Sequence, residues 1–469
     1  MNWSTLSIMR LEVLMTFMVL YQLLADLSEK ENKRSIINIT IIFFTIITII
    51  GFLPSENTTL FGNMYITDEL RVFLKNILNI STLIILLQST GWLNKPENHS
   101  KTGAFYLLLF STLIGMYFMI SAGDFLMLYL GLELATLPLT ILAAFDKDLR
   151  RSAEAGIKLL MSSAVSSAIL LFGLSLMYGI YGTLHFSEMA LLSDASALSI
   201  LALIFFIAGL GFKLSLVPFH LWTADVYEGS PLPVTSFFSV VSKGAALFTL
   251  ALVLYRVFGS QPKVWTMTAY VLSITTMVVG NLFAMRQKNM KRFLAFSSIT
   301  QAGFMMLGFV NNDALGMNTI VYFMLIYSLS NLAVFGVLSI VTNGTGKENI
   351  EDFNGFYVTN PRLSLIMLLA LFSLAGIPPV AGFFGKFFLF TAAASKGMYI
   401  LVFIAVLNAT VSLFYYLLVV KSMFINKNES PIPTLSSSGY EKLALSICFV
   451  GIVMIGFVSG LYEYIESLM

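Results

Sequence analysis

Five ionisable side chains lie deep inside apolar stretches of this sequence: Glu133, Lys158, Lys213, Lys243 and Lys386. A charge at the centre of a bilayer costs about 2.5–3.5 kcal/mol on insertion scales. Groups retained there at that cost point to a polar pathway for protons or small cations. A desolvated amine loses ionisation and regains it beside a carboxylate, so a lysine facing a glutamate is a switchable proton carrier.

Each residue has its own setting. Glu133 sits mid-run between Gly131 and Pro138. On the sequence it is the only acid in the core of any span, hence the expected counter-ion of one lysine. Lys213 is followed seven residues later by His220, which helical periodicity would put on the same face. Histidine titrates near neutrality and suits proton uptake, and Asp225, Tyr227 and Glu228 follow it. Lys243 is flanked by Ser242 and Gly244, small neighbours that leave room for water. Lys386 has no acid nearby in sequence and stands among Phe383, Phe384, Phe387 and Phe388. Lys158, two turns from Arg151, can also snorkel to the membrane surface. The competing reading for all of them is structural: ion pairs or hydrogen-bonded side chains that fix helix packing, and for His220 a loop side chain bonded to backbone.

The elements that must position these groups follow from composition. Of 469 residues, 57% are hydrophobic and only 11% charged, against about a quarter charged in an average soluble domain. Apolar runs of spanning length tile the chain, which predicts an all-α integral membrane protein of about fourteen helices. The expected spans lie near 4–27, 36–53, 68–90, 104–121, 124–145, 152–180, 198–218, 232–257, 264–285, 290–310, 315–341, 361–391, 397–424 and 441–464. The first carries no basic leader or small-residue cleavage pattern and reads as a retained helix. Basic residues crowd into alternate loops, among them Lys30, Arg150, Arg151, Arg286, Lys288 and Arg292. The positive-inside rule then predicts both termini on the outer, periplasmic side of a bacterial inner membrane.

Two spans read as broken, Ala208–Pro218 and Ala375–Lys386, because proline removes a helix hydrogen bond and glycine loosens the backbone. Each break lies beside a buried lysine, Lys213 or Lys386, and the two fall five spans apart. An odd repeat length reverses the second unit in the membrane, and paired broken helices in inverted halves mark a transport site. The expected organisation is an N-terminal three-helix segment (1–103), two inverted five-helix repeats (104–257 and 258–424), and a C-terminal loop and helix (425–469).

Other chemistries lack their residues. There is no dinucleotide fingerprint or phosphate-binding loop, no zinc-protease motif, and no histidine pair placed for haem. The single cysteine, Cys448, can form no internal disulfide or cluster. Net charge of +2 gives no reason to expect nucleic acid.

Three stretches carry a resemblance: GFKLSLVPFHLWTADVYEGSPLPVT from Gly211, QKNMKRFLAFSSI from Gln287 and LAGIPPVAGFFGK from Leu374. The chain resembles, over nearly its whole length, the antiporter-like membrane subunits of proton-pumping NADH:quinone oxidoreductase, respiratory complex I. The N-type fits best, since no long lateral helix follows the last span and the twelfth span carries Lys386 where the M-type usually has glutamate. The resemblance implies that Glu133 and Lys213 form a modulating pair, Lys243 is the central relay and Lys386 completes the second half-channel; Lys158 matches a lysine common in the N-type. It implies membrane-arm partner subunits in a hetero-oligomer surrounded by lipid, with flavin, iron–sulfur clusters and quinone on the partners and no cofactor in this chain. One departure is Gln301, where family members often have histidine; glutamine holds water but takes up no proton near neutral pH, so transfer there would rely on water or a nearby tyrosine. A cation/proton antiporter or membrane-bound hydrogenase subunit, and a passive scaffold, are the alternatives.

Overall fold

Long runs of leucine, isoleucine, phenylalanine and methionine leave the backbone no solvent partner in lipid, so helices that satisfy their own hydrogen bonds dominate. The computed structural model describes residues 3–27, 33–192, 196–259 and 261–469; Lys30, used above for orientation, lies outside them. After a short helix at Trp3–Ile8 come α1 (Arg10–Leu27), α2 (Lys33–Gly51), α3 (Glu69–Leu93), α4 (Thr102–Ser121), α5 (Phe125–Ala143) and α6 (Arg150–Tyr181). Next are α7 (Ala197–Leu214), α8 (Trp222–Gly229), α9 (Leu232–Arg256), α10 (Pro262–Ala284), α11 (Met290–Met305) and α12 (Ala314–Thr345). The chain ends with α13 (Pro361–Ala375), α14 (Ala381–Ser395), α15 (Tyr399–Phe424), α16 (Gly439–Phe457) and α17 (Ser459–Ser467).

Each expected span coincides with one helix or two consecutive ones. Among the described residues, 12 helices are long and apolar enough to cross a bilayer. Helix α1 is long enough but carries Arg10, Glu12 and Asp26, while α13 and α14 are short because the chain breaks between them. A two-stranded hairpin absent from the sequence reading, β1 (Thr58–Leu60) and β2 (Tyr65–Thr67), pairs Thr58 with Thr67 and leads into Asp68, which caps α3 through the Arg71 amide.

The apolar middles of α9, α11 and α12 are buried throughout at the centre, and α6, α10, α15 and α16 present most of their residues outward. Small residues set the closest approaches. Gly115 of α4 and Gly131 of α5 face each other so tightly that a Cβ on Gly115 would lie 2.7 Å from the Gly131 carbonyl oxygen. That contact fixes the helix bearing Glu133.

Both expected breaks are present. Helix α7 stops at Leu214, where Ser215 turns left-handed (φ +61°), and α13 stops at Ala375, where Gly376 does so (φ +87°). A third irregularity had no sequence signal: Phe238–Ser242 form a π turn inside α9, immediately before Lys243.

Candidate functional site: a buried lysine chain

Lys213 occupies the last turn of α7, and its ammonium donates to the Thr136 hydroxyl of α5. Glu133 lies one turn before Thr136, within electrostatic reach of Lys213 and against Tyr129. Among the described residues no ion pair joins Glu133 to Lys213, and Glu133 Oε1 is buried without a hydrogen-bond partner. The expected pair is therefore adjacent but open, with Thr136 holding the lysine. Ser163, Ser166 and Ser167 of α6 line a cavity of about 10 Å³ beside Lys213, the lower limit for one water.

His220 does not share a helical face with Lys213, because α7 ends at Leu214 and His220 lies in the irregular segment before α8. Burial lowers its pKa below the usual histidine value, against a bond to the Pro218 backbone that raises it. Its Nδ1 has no partner.

Lys158 is outside the buried chain. Its half-exposed ammonium bridges Glu154 at 2.6 Å and Asp225 of α8 at 2.5 Å. Arg292 of α11 continues the network to Asp225 at 2.7 Å and Glu228 at 2.8 Å. Partial burial raises the proton affinity of Asp225, but hydrogen bonds from Lys158 and Arg292 outweigh it and hold the carboxyl below its ordinary value.

Lys243, freed by the π turn from the regular register of α9, is 1% exposed and donates to the Ser298 hydroxyl of α11 at 2.8 Å. π turns recur at functional positions because they re-aim side chains. Around it gather the Tyr227 ring at 5.9 Å and the Ser239–Tyr327 contact at 3.0 Å, with Asn331 donating to both of those hydroxyls. The Tyr327 hydroxyl also approaches Ser298.

The adjacent serine begins a second series. Ser297 bonds to the Tyr416 hydroxyl of α15, and Gln301 donates to that hydroxyl at 3.2 Å and to the Leu374 carbonyl at 3.0 Å. The same carbonyl and that of Ala375 accept from the Lys386 ammonium, each at 2.9 Å. Those carbonyls are free because α13 ends there, and the negative end of a helix dipole favours a cation. The ring over Lys386 is Phe304 at 4.6 Å, while Phe383, Phe384, Phe387 and Phe388 largely stack on one another.

The Lys243–Ser298 contact and the Ser297–Tyr416–Gln301–Leu374–Lys386 series thus meet at adjacent serines of α11, where Tyr327, beside Ser298, is within electrostatic reach of Tyr416. Such groups can pass protons where hydroxyls and water reorient. Sequence reasoning missed Tyr327, Tyr416, Ser297 and Asn331; their only signal was polar residues on otherwise apolar helices. It also missed a second buried acid. Glu12 of α1 is 3% exposed and ion-pairs with Lys75 of α3, so Glu133 is not the only acid in a helix core.

A family model described as "NADH:quinone oxidoreductase/Mrp antiporter, TM" matches residues 122–412. The NADH-quinone oxidoreductase subunit N of Azobacteroides pseudotrichonymphae genomovar. CFP2 is 49% identical, with 97% of this chain and 96% of the relative covered. A chain of Thermus thermophilus respiratory complex I with bound aureothin is 28% identical, with a TM-score of 0.81 over 96% of this chain and 98% of that one. A chain of an archaeal membrane-bound sulfane sulfur reductase has a TM-score of 0.85 at 24% identity, over 99% of this chain and 96% of that one, a likeness of fold.

Proposed function

This chain belongs to the NADH:quinone oxidoreductase/Mrp antiporter transmembrane family, and from that membership we propose how its interior lysines move protons. It is a proton-translocating membrane-arm subunit of a redox-driven NADH:quinone oxidoreductase, a multi-pass membrane protein that works in a hetero-oligomer with other membrane-arm subunits. Its part is translocation; NADH oxidation, and the flavin, iron–sulfur clusters and quinone that serve it, belong to partner subunits. It resides in the bacterial inner membrane with both termini on the outer side, in keeping with the basic loops around Arg151 and Arg292 on the opposite side.

The observation that carries this reading is the meeting, at adjacent serines of α11, of two polar series: Lys243–Ser298, and Ser297–Tyr416–Gln301–Leu374–Lys386. Redox work elsewhere in the complex closes and opens the Glu133–Lys213 pair. In the open state Thr136 holds Lys213. Closing the pair gives Glu133 Oε1 its missing partner and neutralises the charge that an unpaired Lys213 presents to the interior. In a low-dielectric interior such a change shifts neighbouring proton affinities by whole units. Lys243 then takes up a proton from the inner side and Lys386 exchanges one through the Tyr416–Gln301 bridge. The two broken helices resemble one another, each with a left-handed residue just past a buried helix end, which supports two related units at 104–257 and 258–424. Lys158 and His220 act at the inner edge, and Lys158 orients Asp225 rather than relaying from the core.

The test is proton pumping and quinone reductase activity in vesicles holding the assembled complex, with Lys213→Ala and Glu133→Ala. Loss of both activities from an intact complex is the expected result. Unchanged pumping and turnover would reduce the buried charges to packing.

A further inference from the structure

The interior chain leaves one buried ionic cluster unused. Glu12 of α1 and Lys75 of α3 form an ion pair, with Lys75 also donating to the Tyr65 hydroxyl of β2 at 3.3 Å. The rings of Tyr65 and Tyr117 stand 5.3 Å and 5.7 Å from the Lys75 ammonium, and the Tyr117 hydroxyl of α4 bonds to Asn79 Oδ1. Glu12, Tyr65, Lys75, Asn79 and Tyr117 are each no more than 3% exposed. Removing two charges from water costs several kcal/mol per ion, and apolar residues of the same volume usually serve stability as well or better. A cluster drawn from α1, β2, α3 and α4 needs a purpose other than holding them together.

We propose that the Glu12–Lys75 cluster is a further proton-binding site, placed between the Lys243 region and the membrane face that bears the chain termini. The proposal rests on the reading of this chain as a proton translocator. Its place in the path follows from packing. Helix α9 meets α3 where a Cβ on Gly244 would lie 3.1 Å from the Leu78 side chain, so Lys243 is level with Leu78. Lys75 lies three residues, roughly 4–5 Å of helix rise, nearer the terminus-bearing face. Toward the core, Asn79 Nδ2 is buried without a partner, and such a group calls for water. Toward the surface the charges continue: Arg71, one turn from Lys75, pairs with Asp68, which Arg256 approaches at 3.1 Å. Asp68 and Arg256 line a polar cavity of about 500 Å³ that reaches Ser467 near the C-terminus. Arg10 donates to the Pro54 carbonyl at 2.8 Å and to that of Leu53, tying the loop after α2 to the helix turn that carries Glu12.

The step involves protons alone. One proton arriving through the Asn79 side binds the Glu12 carboxylate and releases Lys75 from it. One proton then leaves Glu12 toward the Asp68 cavity and the pair re-forms, with no change in redox state.

The experiment uses the assembled complex in membrane vesicles, reading complex abundance, NADH:quinone reductase rate and protons moved per NADH. Glu12→Gln/Lys75→Gln keeps a hydrogen-bonded pair without charge, and it is compared with Lys213→Ala in the same preparation. The expected result is assembly near wild-type abundance with protons per NADH or coupled turnover reduced at least threefold. Wild-type pumping by this double variant, beside a Lys213→Ala complex that does not pump, overturns the Glu12–Lys75 site and leaves the wider reading standing. Wild-type pumping by Lys213→Ala removes that wider reading and with it this site. Should the double variant fail to assemble, Tyr65→Phe/Tyr117→Phe decides, since it keeps both rings and removes only the hydroxyls. Pumping slowed at least threefold supports the site, and wild-type pumping overturns it.

Discussion

Lys386 illustrates how a cation is kept in an apolar interior without an acid: two backbone carbonyls and an aromatic face replace its hydration. Gln301 bridges the Tyr416 hydroxyl to the carbonyl that also holds Lys386. It offers no proton of its own near neutral pH. Gln301→Leu removes two hydrogen bonds, about 0.5–1.5 kcal/mol each, while the Tyr416 hydroxyl keeps Ser297 and the Leu374 carbonyl keeps Lys386. The expected outcome is a lower melting temperature of the assembled complex and slowed pumping. Gln301→His restores a titrating group at the same reach, so pumping is expected to persist and to acquire a pH dependence centred near 6–7. A pH profile identical to wild type would mean that protons bypass this position.

At the scale of elements, function depends on places where helices stop being regular. The π turn at Phe238–Ser242 re-aims Lys243 toward Ser298. The left-handed residues Ser215 and Gly376 end their helices beside lysines, and at Gly376 the freed Leu374 and Ala375 carbonyls hold Lys386. Gly376 is the more constrained of the two, since at φ +87° a Cβ would lie 2.9 Å from Lys386 Cδ. Gly376→Ala therefore adds about 1–2 kcal/mol of left-handed strain and pushes on the lysine itself. Calorimetry of the complex is expected to register the loss, and the vesicle assay a pumping defect larger than the loss of assembled complex explains. Equal loss of assembly and pumping would reduce Gly376 to a folding residue.

Across the whole molecule, the ionic network at one face ties distant parts of the chain together. Lys158 of α6 and Arg292 of α11 meet on Asp225 of α8, joining the first proposed unit to the second. The lowered Asp225 pKa fixes the sign of its pH effect. The folded state binds a proton less readily than the unfolded chain, whose carboxyl titrates near 3.8, so the contribution is complete above that value and fades as pH falls below it. Asp225→Asn is expected to lower thermal stability at neutral pH and to flatten the decline below about pH 4. An unchanged melting profile would remove the network as a tie.

The membrane class, the order of the helices, both broken spans and the burial of Lys213, Lys243 and Lys386 were legible in the chain before any fold was known. Each of these is written in local composition: apolar length, glycine and proline, or a charge where none is cheap. Tertiary structure alone decided which partners those charges take. Thr136 rather than Glu133 on Lys213, Tyr416 between Ser297 and Gln301, and Lys75 on Glu12 are contacts between helices far apart in the chain. Helical periodicity gives a residue's face but not the neighbour that face meets, so no spacing rule could have supplied them. The relation of His220 to Lys213 failed for a related reason. A seven-residue interval implies a shared face only if the helix continues, and α7 ends one residue after Lys213.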